Sequence, residues 1–155
     1  MSDNTGADGI QFFSSIYRLK FTDVSVALDL DGNAGKVYRL YQAAFNRVPD
    51  LGGLGFWIER MDNGATLQAI AGGFIGSAEF TTLYGANPSN EVFLTKLYYN
   101  VLHRTPDQGG YNSWLGVLNN GTPRAEVLTA FSESAENKAQ VAVVISGGIA
   151  YTPYG

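Results

Sequence analysis

The sequence repeats itself, and that repeat restricts the chain to folds built from two copies of one unit. A shift of about 57 positions aligns residues 38–80 with 95–137 without a gap. Leu40 and Tyr41 fall on Leu97 and Tyr98, and Trp57 falls on Trp114. Arg47, Pro49, Asp50, Gly52 and Gly53 fall on Arg104, Pro106, Asp107, Gly109 and Gly110. Asn63-Gly64, Phe74 and Ser77-Ala78-Glu79 return as Asn120-Gly121, Phe131 and Ser134-Ala135-Glu136.

Each copy reads as helices separated by chemical punctuation. Val37, Leu40, Tyr41, Ala44 and Phe45 recur at three- and four-residue spacing, as do Leu94, Leu97, Tyr98, Val101 and Leu102, so each set forms one apolar helical face. Pro49 and Pro106 disfavour helical geometry in the residue before them, which stops the first helix of each copy near Arg47 or Arg104. Asp50 and Asp107 are placed to cap a second helix, and Asn-Gly ends it in each copy. Thr66 and Thr122 are candidate caps for a third helix, with Pro123 at its first position in the second copy. Ser77 and Ser134 are candidate caps for a fourth, the last running to about Ile145. Phe74 and Phe131 should point inward.

The predicted fold class is mainly α: a helical bundle of two tandem copies of a roughly four-helix unit, preceded by a short β-hairpin. The copies span about residues 37–85 and 94–142 within a helical domain 34–146, whose helices begin after Gly35. Residues 1–33 hold a polar tail and the hairpin, with Ile16, Tyr17, Leu19 and Phe21 on one strand and Val24, Val26, Leu28 and Leu30 on the other. Such a hairpin needs a partner surface. Residues 147–155 form an apolar C-terminal tail.

Composition narrows the function. With 45% hydrophobic residues the chain can build a core, and with no cysteine it has neither disulfides nor thiolate chemistry. A net charge of -4, with its ten basic residues scattered, disfavours nucleic acid as a partner. No apolar run is long enough to span a membrane, and the acidic start Met1–Asp8 lacks the pattern of a secretory signal peptide.

Several residues are candidate ligand contacts, each with a structural reading beside it. Arg47 with Asp50, and Arg104 with Asp107, could grip a polar ligand through a guanidinium fork and a carboxylate, or simply fix a turn. Trp57 and Trp114, in a chain with nine tyrosines, could form an aromatic platform for sugars, although helical spacing favours core packing. Asp29, Asp31 and Asn33 offer oxygen ligands for calcium around Gly32. An EF-hand would require a glutamate where Leu40 stands, so a turn or hairpin exit is the competing reading. His103, the one histidine, falls at a helix end, and Glu133 and Glu136 read as a solvated face near a helix start. Gly72-Gly73 sits in a helical stretch and suits close helix contact. No catalytic constellation emerges from these residues, so the chain is expected not to be an enzyme.

Tyr38-Arg39-Leu40-Tyr41-Gln42-Ala43-Ala44-Phe45, followed by Arg47, Pro49, Asp50 and Trp57, resembles the motif of a bacterial domain-of-unknown-function family, DUF4214. A looser copy spans Leu97 to Trp114, and the likeness covers about residues 37–140. The family occurs in secreted, surface-layer-like and RTX-type calcium-binding proteins. The resemblance therefore implies a non-catalytic structural or interaction module, contacting protein subunits or cell-envelope polysaccharide. Carbohydrate binding is the alternative, and a calcium-associated, secretion-linked domain the third. Residues 16–32 look like the hairpin that links RTX-type regions to this domain. The tail from Val141 to Gly155 is similar to those of type I secretion substrates, implying an extracellular or cell-surface location reached without an N-terminal signal peptide. The glycine-aspartate nonapeptide of calcium rolls is missing, so no cofactor is expected beyond a possible calcium ion at Asp29 and Asp31.

Overall fold

The computed structural model describes residues 18–154, so Ile16, Tyr17 and the polar start lie outside the described residues. Strands β1 (Arg18–Lys20) and β2 (Ser25–Ala27) form the hairpin. The first copy follows as α1 (Asn33–Phe45), α2 (Leu51–Asp62), α3 (Leu67–Ile75) and α4 (Ala78–Tyr84). The second is α5 (Asn90–Leu97), continued by a π-helical turn (Tyr98–Leu102), then α6 (Gln108–Asn119), α7 (Arg124–Ser132) and α8 (Ala135–Ile145). Strand β3 (Ile149–Tyr151) is the last element. The fold is mainly α with an N-terminal hairpin, as its periodicity requires.

Local chemistry sets most boundaries. Asp50 and Asp107 each accept a hydrogen bond at 2.8 Å from the backbone N–H three residues on, at Gly53 and Gly110. Thr66, Ser77, Ser89 and Ser134 cap α3, α4, α5 and α8 in the same way. Gly64 and Gly121 take φ of 105° and 97° just past α2 and α6, a geometry open to glycine at little cost.

The strands are shorter than expected, leaving Phe21, Val24, Leu28 and Leu30 outside them, and two helix starts also differ from the sequence expectation. Helix α1 starts at Asn33 rather than after Gly35, because Asp29, several residues upstream, supplies the cap. Its Oδ2 accepts from the Ala34 N–H at 3.1 Å, and its backbone carbonyl accepts from the Gly32 N–H. Thr122 does not cap α7; Pro123 stands at the N-cap in an extended conformation, without a side-chain cap. The start of α7 is instead pinned by Arg124, whose guanidinium donates to the Pro88 carbonyl at 2.6 Å and to Asn90 Oδ1 at 3.0 Å.

Two apolar clusters form the core. The larger joins α1, α3, α4, α5 and α7 around Leu40, Phe74, Phe93, Leu97 and Phe131. The smaller lies under the sheet, where α1, α2 and α8 meet at Val37, Ile58, Val141 and Ile145. Helix α1 contributes to both, and Trp57 and Met61 of α2 pack against both.

The segment read as an apolar tail contributes β3, which pairs antiparallel with β2 in the register Val26↔Ala150. The hairpin thereby gains a third strand and the partner surface it lacks alone. Thr152 donates its N–H to the Leu51 carbonyl at 3.0 Å, which presses the chain end onto α2. That approach requires Gly55, since a Cβ there would sit 1.7 Å from the Thr152 carbonyl oxygen. Gly55→Ala is therefore expected to destabilise the domain by about 2 kcal/mol or more, despite the better helix propensity of alanine. Urea unfolding combined with faster hydrogen exchange at the Thr152 amide would report it, and unchanged exchange there would refute this account.

Candidate functional site

The repeated polar residues assemble into two equivalent clasps. In the first, Arg47 reaches from the end of α1 to Glu79 on α4 and binds it in bidentate fashion, at 2.7 and 3.0 Å. Tyr41 donates its hydroxyl to Asp50 Oδ1 at 2.6 Å and accepts from Arg47 Nη2 at 3.3 Å. The guanidinium also lies over the Tyr41 ring, 5.1 Å from its centre. In the second clasp Arg104 binds Glu136 at 2.8 and 3.1 Å and lies 5.3 Å from the Tyr98 ring centre. Here Arg104 Nη1 also donates to Asp107 Oδ1, at 3.2 Å. Both clasps tie the first helix of a copy to its second and fourth.

Arginine and aspartate do fix the turn, but the principal partner of each arginine is a glutamate 32 residues further on. Glu136 is ion-paired while remaining exposed at its helix start, and Glu133, partly buried, is held by Arg39. The equal spacing of arginine and glutamate in both copies is the sequence signal that could have found this link. His103 ends the π turn at φ 56°, in the left-handed conformation that Asn46 adopts in the first copy.

Each clasp favours the charged forms of its members. The Tyr41 hydroxyl and the Gly53 N–H hold Asp50 below the usual aspartate range, and Arg47 does the same for Glu79. In the other copy the Gly110 N–H and Arg104 lower Asp107, and Arg104 lowers Glu136. These carboxylates ionise more readily folded than unfolded, so the stability they add is complete above the ordinary values of 3.8 and 4.5. It is lost as pH falls through the lower folded values. Thermal stability is accordingly expected to be level above about pH 6 and to drop steeply toward about pH 3. Glu79→Gln should make that drop shallower and cost about 0.5–1 kcal/mol at neutral pH, the pair being partly exposed. A Glu79→Gln curve parallel to that of the parent protein would remove Glu79 from this role.

The tryptophans occupy matching places. Trp57 meets Phe74 edge to face at 5.1 Å, and Trp114 packs at 5.3 Å on Phe131. Both are half-buried, and a large part of each indole is spent on the core.

Asp29, Asp31 and Asn33 do not converge on a cation. Both Asp29 oxygens accept from Arg18 at 2.8 Å, Asn33 donates to Asp62 Oδ1 at 3.0 Å, and Asp31 is exposed. Arg18 bridges on to Asp62 at 2.8 Å, so a guanidinium already neutralises the carboxylates that calcium would need. Among the described residues no three His, Cys, Asp or Glu side chains are grouped to hold a metal ion. Arg18, Asp29, Asn33 and Asp62 line, together with Tyr151 and Tyr154, an open cleft of about 590 Å³ between the sheet and α2.

Two clasped copies of a four-helix unit, with a small sheet sealing one face, define a helical repeat domain. The family described as a domain of unknown function (DUF4214) matches the chain twice, over residues 32–82 and 71–141, and the chain belongs to that family. No curated protein and no solved structure matches it. Among the described residues no helix is long and apolar enough to cross a membrane.

Proposed function

We propose that the domain is a non-catalytic structural and interaction module of an exported bacterial protein, whose helical surface contacts cell-envelope components or other protein subunits. One observation carries this reading: the polar residues common to both copies end in caps and ion pairs, not in a shared cavity. An enzyme gathers such residues in a pocket and shifts them toward a pKa near the working pH. Here the shifts run the other way, with carboxylates held ionised and arginines held cationic. Export rests on the likeness to domains of secreted and surface-layer-like proteins. A calcium-dependent role has less support, because Arg18 takes both oxygens of Asp29.

Binding of the purified domain to isolated envelope fragments of the producing bacterium tests the proposal, with fragments treated by protease or by periodate to separate protein from glycan. Saturable binding that leaves the fragments chemically unchanged supports it. Absence of binding to every fragment, or release of sugars or peptides by the domain, would overturn it.

A further inference from the structure

If residues shared by the copies hold the fold, specific recognition belongs where the copies differ. The sharpest difference lies on the fourth helices. Helix α4 fills its site with Phe80, Leu83 and Tyr84, the first and last stacked at 3.9 Å. The repeat places Asn137, Gln140 and Val141 at the equivalent positions of α8. Lost aromatic volume leaves a cleft of about 220 Å³ there, between α1, the π turn and α8. Its lining holds four carboxamides, Gln42, Asn100, Asn137 and Gln140, together with His103.

The amides are incompletely used. Asn137 is buried and donates Nδ2 to the Ser132 carbonyl at 2.8 Å, which orients Oδ1 the other way. Gln140 likewise donates Nε2 to the Leu102 carbonyl at 3.3 Å. Gln42 Oε1 is buried with no hydrogen-bond partner, an arrangement that costs free energy unless a donor arrives. The backbone differs as well. Asn46 closes α1 with an ordinary bond to Gln42, whereas His103 bonds back five residues to Tyr98, widening the turn that carries Asn100. Such π turns are frequent at functional sites.

We propose that this cleft binds a neutral, hydroxyl-rich ligand of single-saccharide size, gripped by Gln42, Asn100, Asn137 and Gln140. Carboxamides present both N–H donors and C=O acceptors, which matches hydroxyl groups that also do both. No carboxylate, lysine or arginine lines the cleft, so an ion would find no counter-charge. At about 30 Å³ for each water, the volume equals about seven waters, which admits one small polar molecule of roughly hexose size and no oligosaccharide. The larger cleft beside the sheet is a weaker candidate, since Arg18, Asp29, Asn33 and Asp62 there already satisfy one another.

The site deepens the interaction reading and rests on it. Its test is an NMR titration of the side-chain amide signals with D-glucose, D-galactose, L-rhamnose and N-acetyl-D-glucosamine. At least one sugar should shift the Gln42, Asn100, Asn137 and Gln140 signals saturably, with Kd of order 1 mM. Gln140→Leu, which installs the residue that the first copy already uses, and Gln42→Leu should each weaken binding at least about tenfold while the backbone spectrum stays folded. Silence from all four sugars, or shifts confined to another surface, would overturn the cleft assignment. Envelope binding that survives both substitutions would also overturn it, while leaving the interaction module intact. Turnover of a bound sugar would sink the non-catalytic reading but keep the site.

Discussion

Trp57→Ala should cost about 3–4 kcal/mol and Trp114→Ala about 2, although the two residues are repeat equivalents. Trp57 packs against both apolar clusters and meets Phe56 as well as Phe74, whereas Trp114 borders the larger cluster alone. Removing Trp57 therefore opens a void between the two clusters, against α3, and neither cluster can close it without parting from the other. For a domain whose total stability is of order 5–15 kcal/mol, that loss is a large fraction. Urea unfolding followed by circular dichroism would measure both variants, with the slope against denaturant unchanged if only stability has moved. Equal losses would contradict the bridging role, and a Trp57 loss below about 1 kcal/mol would contradict its packing role altogether.

That asymmetry marks what a sequence can and cannot disclose. Pro49, Asp50, Ser77 and the Asn63-Gly64 pair act on neighbours within a few residues, so their caps and stops were readable from order alone. The same holds for Phe74 and Phe131, whose helical spacing marks them for the core. Longer-range partners were not readable one residue at a time. Helices α2 and α3 lie between Arg47 and Glu79 along the chain, and nearly the whole described chain lies between β2 and β3. Asp29 illustrates the same limit: its oxygens suit a calcium ligand until Arg18 is seen to hold them. The carboxamide cleft lies further still from simple reading, because it arises from aromatic side chains present in one copy and missing from the other. Repeat comparison separates residues that build a copy from those that distinguish it.

Arg39 and Glu133 distinguish the copies most in energy. Arg39 is 3% exposed in the middle of α1, yet it binds Glu133 at 2.7 and 2.8 Å and donates to the Leu30 carbonyl at 2.9 Å. The repeat puts Lys96 and Gly76 at the corresponding positions, so this pair between the copies has no reciprocal counterpart. This bridge ties the loop entering α1 to the α7–α8 junction and thereby locks one copy against the other. Because the cation is the more deeply buried partner, removing the anion should hurt more than removing the cation. Glu133→Gln leaves a buried guanidinium short of its counter-charge and is expected to cost about 3 kcal/mol. Arg39→Met leaves a carboxylate that is partly solvated and has Lys138 3.9 Å away, so about 2 kcal/mol is expected. The double variant Arg39→Met with Glu133→Gln should recover much of the loss, since no charge remains buried. A double-mutant cycle by urea unfolding gives the coupling directly; a value below about 0.5 kcal/mol would mean that the copies are locked by apolar packing alone.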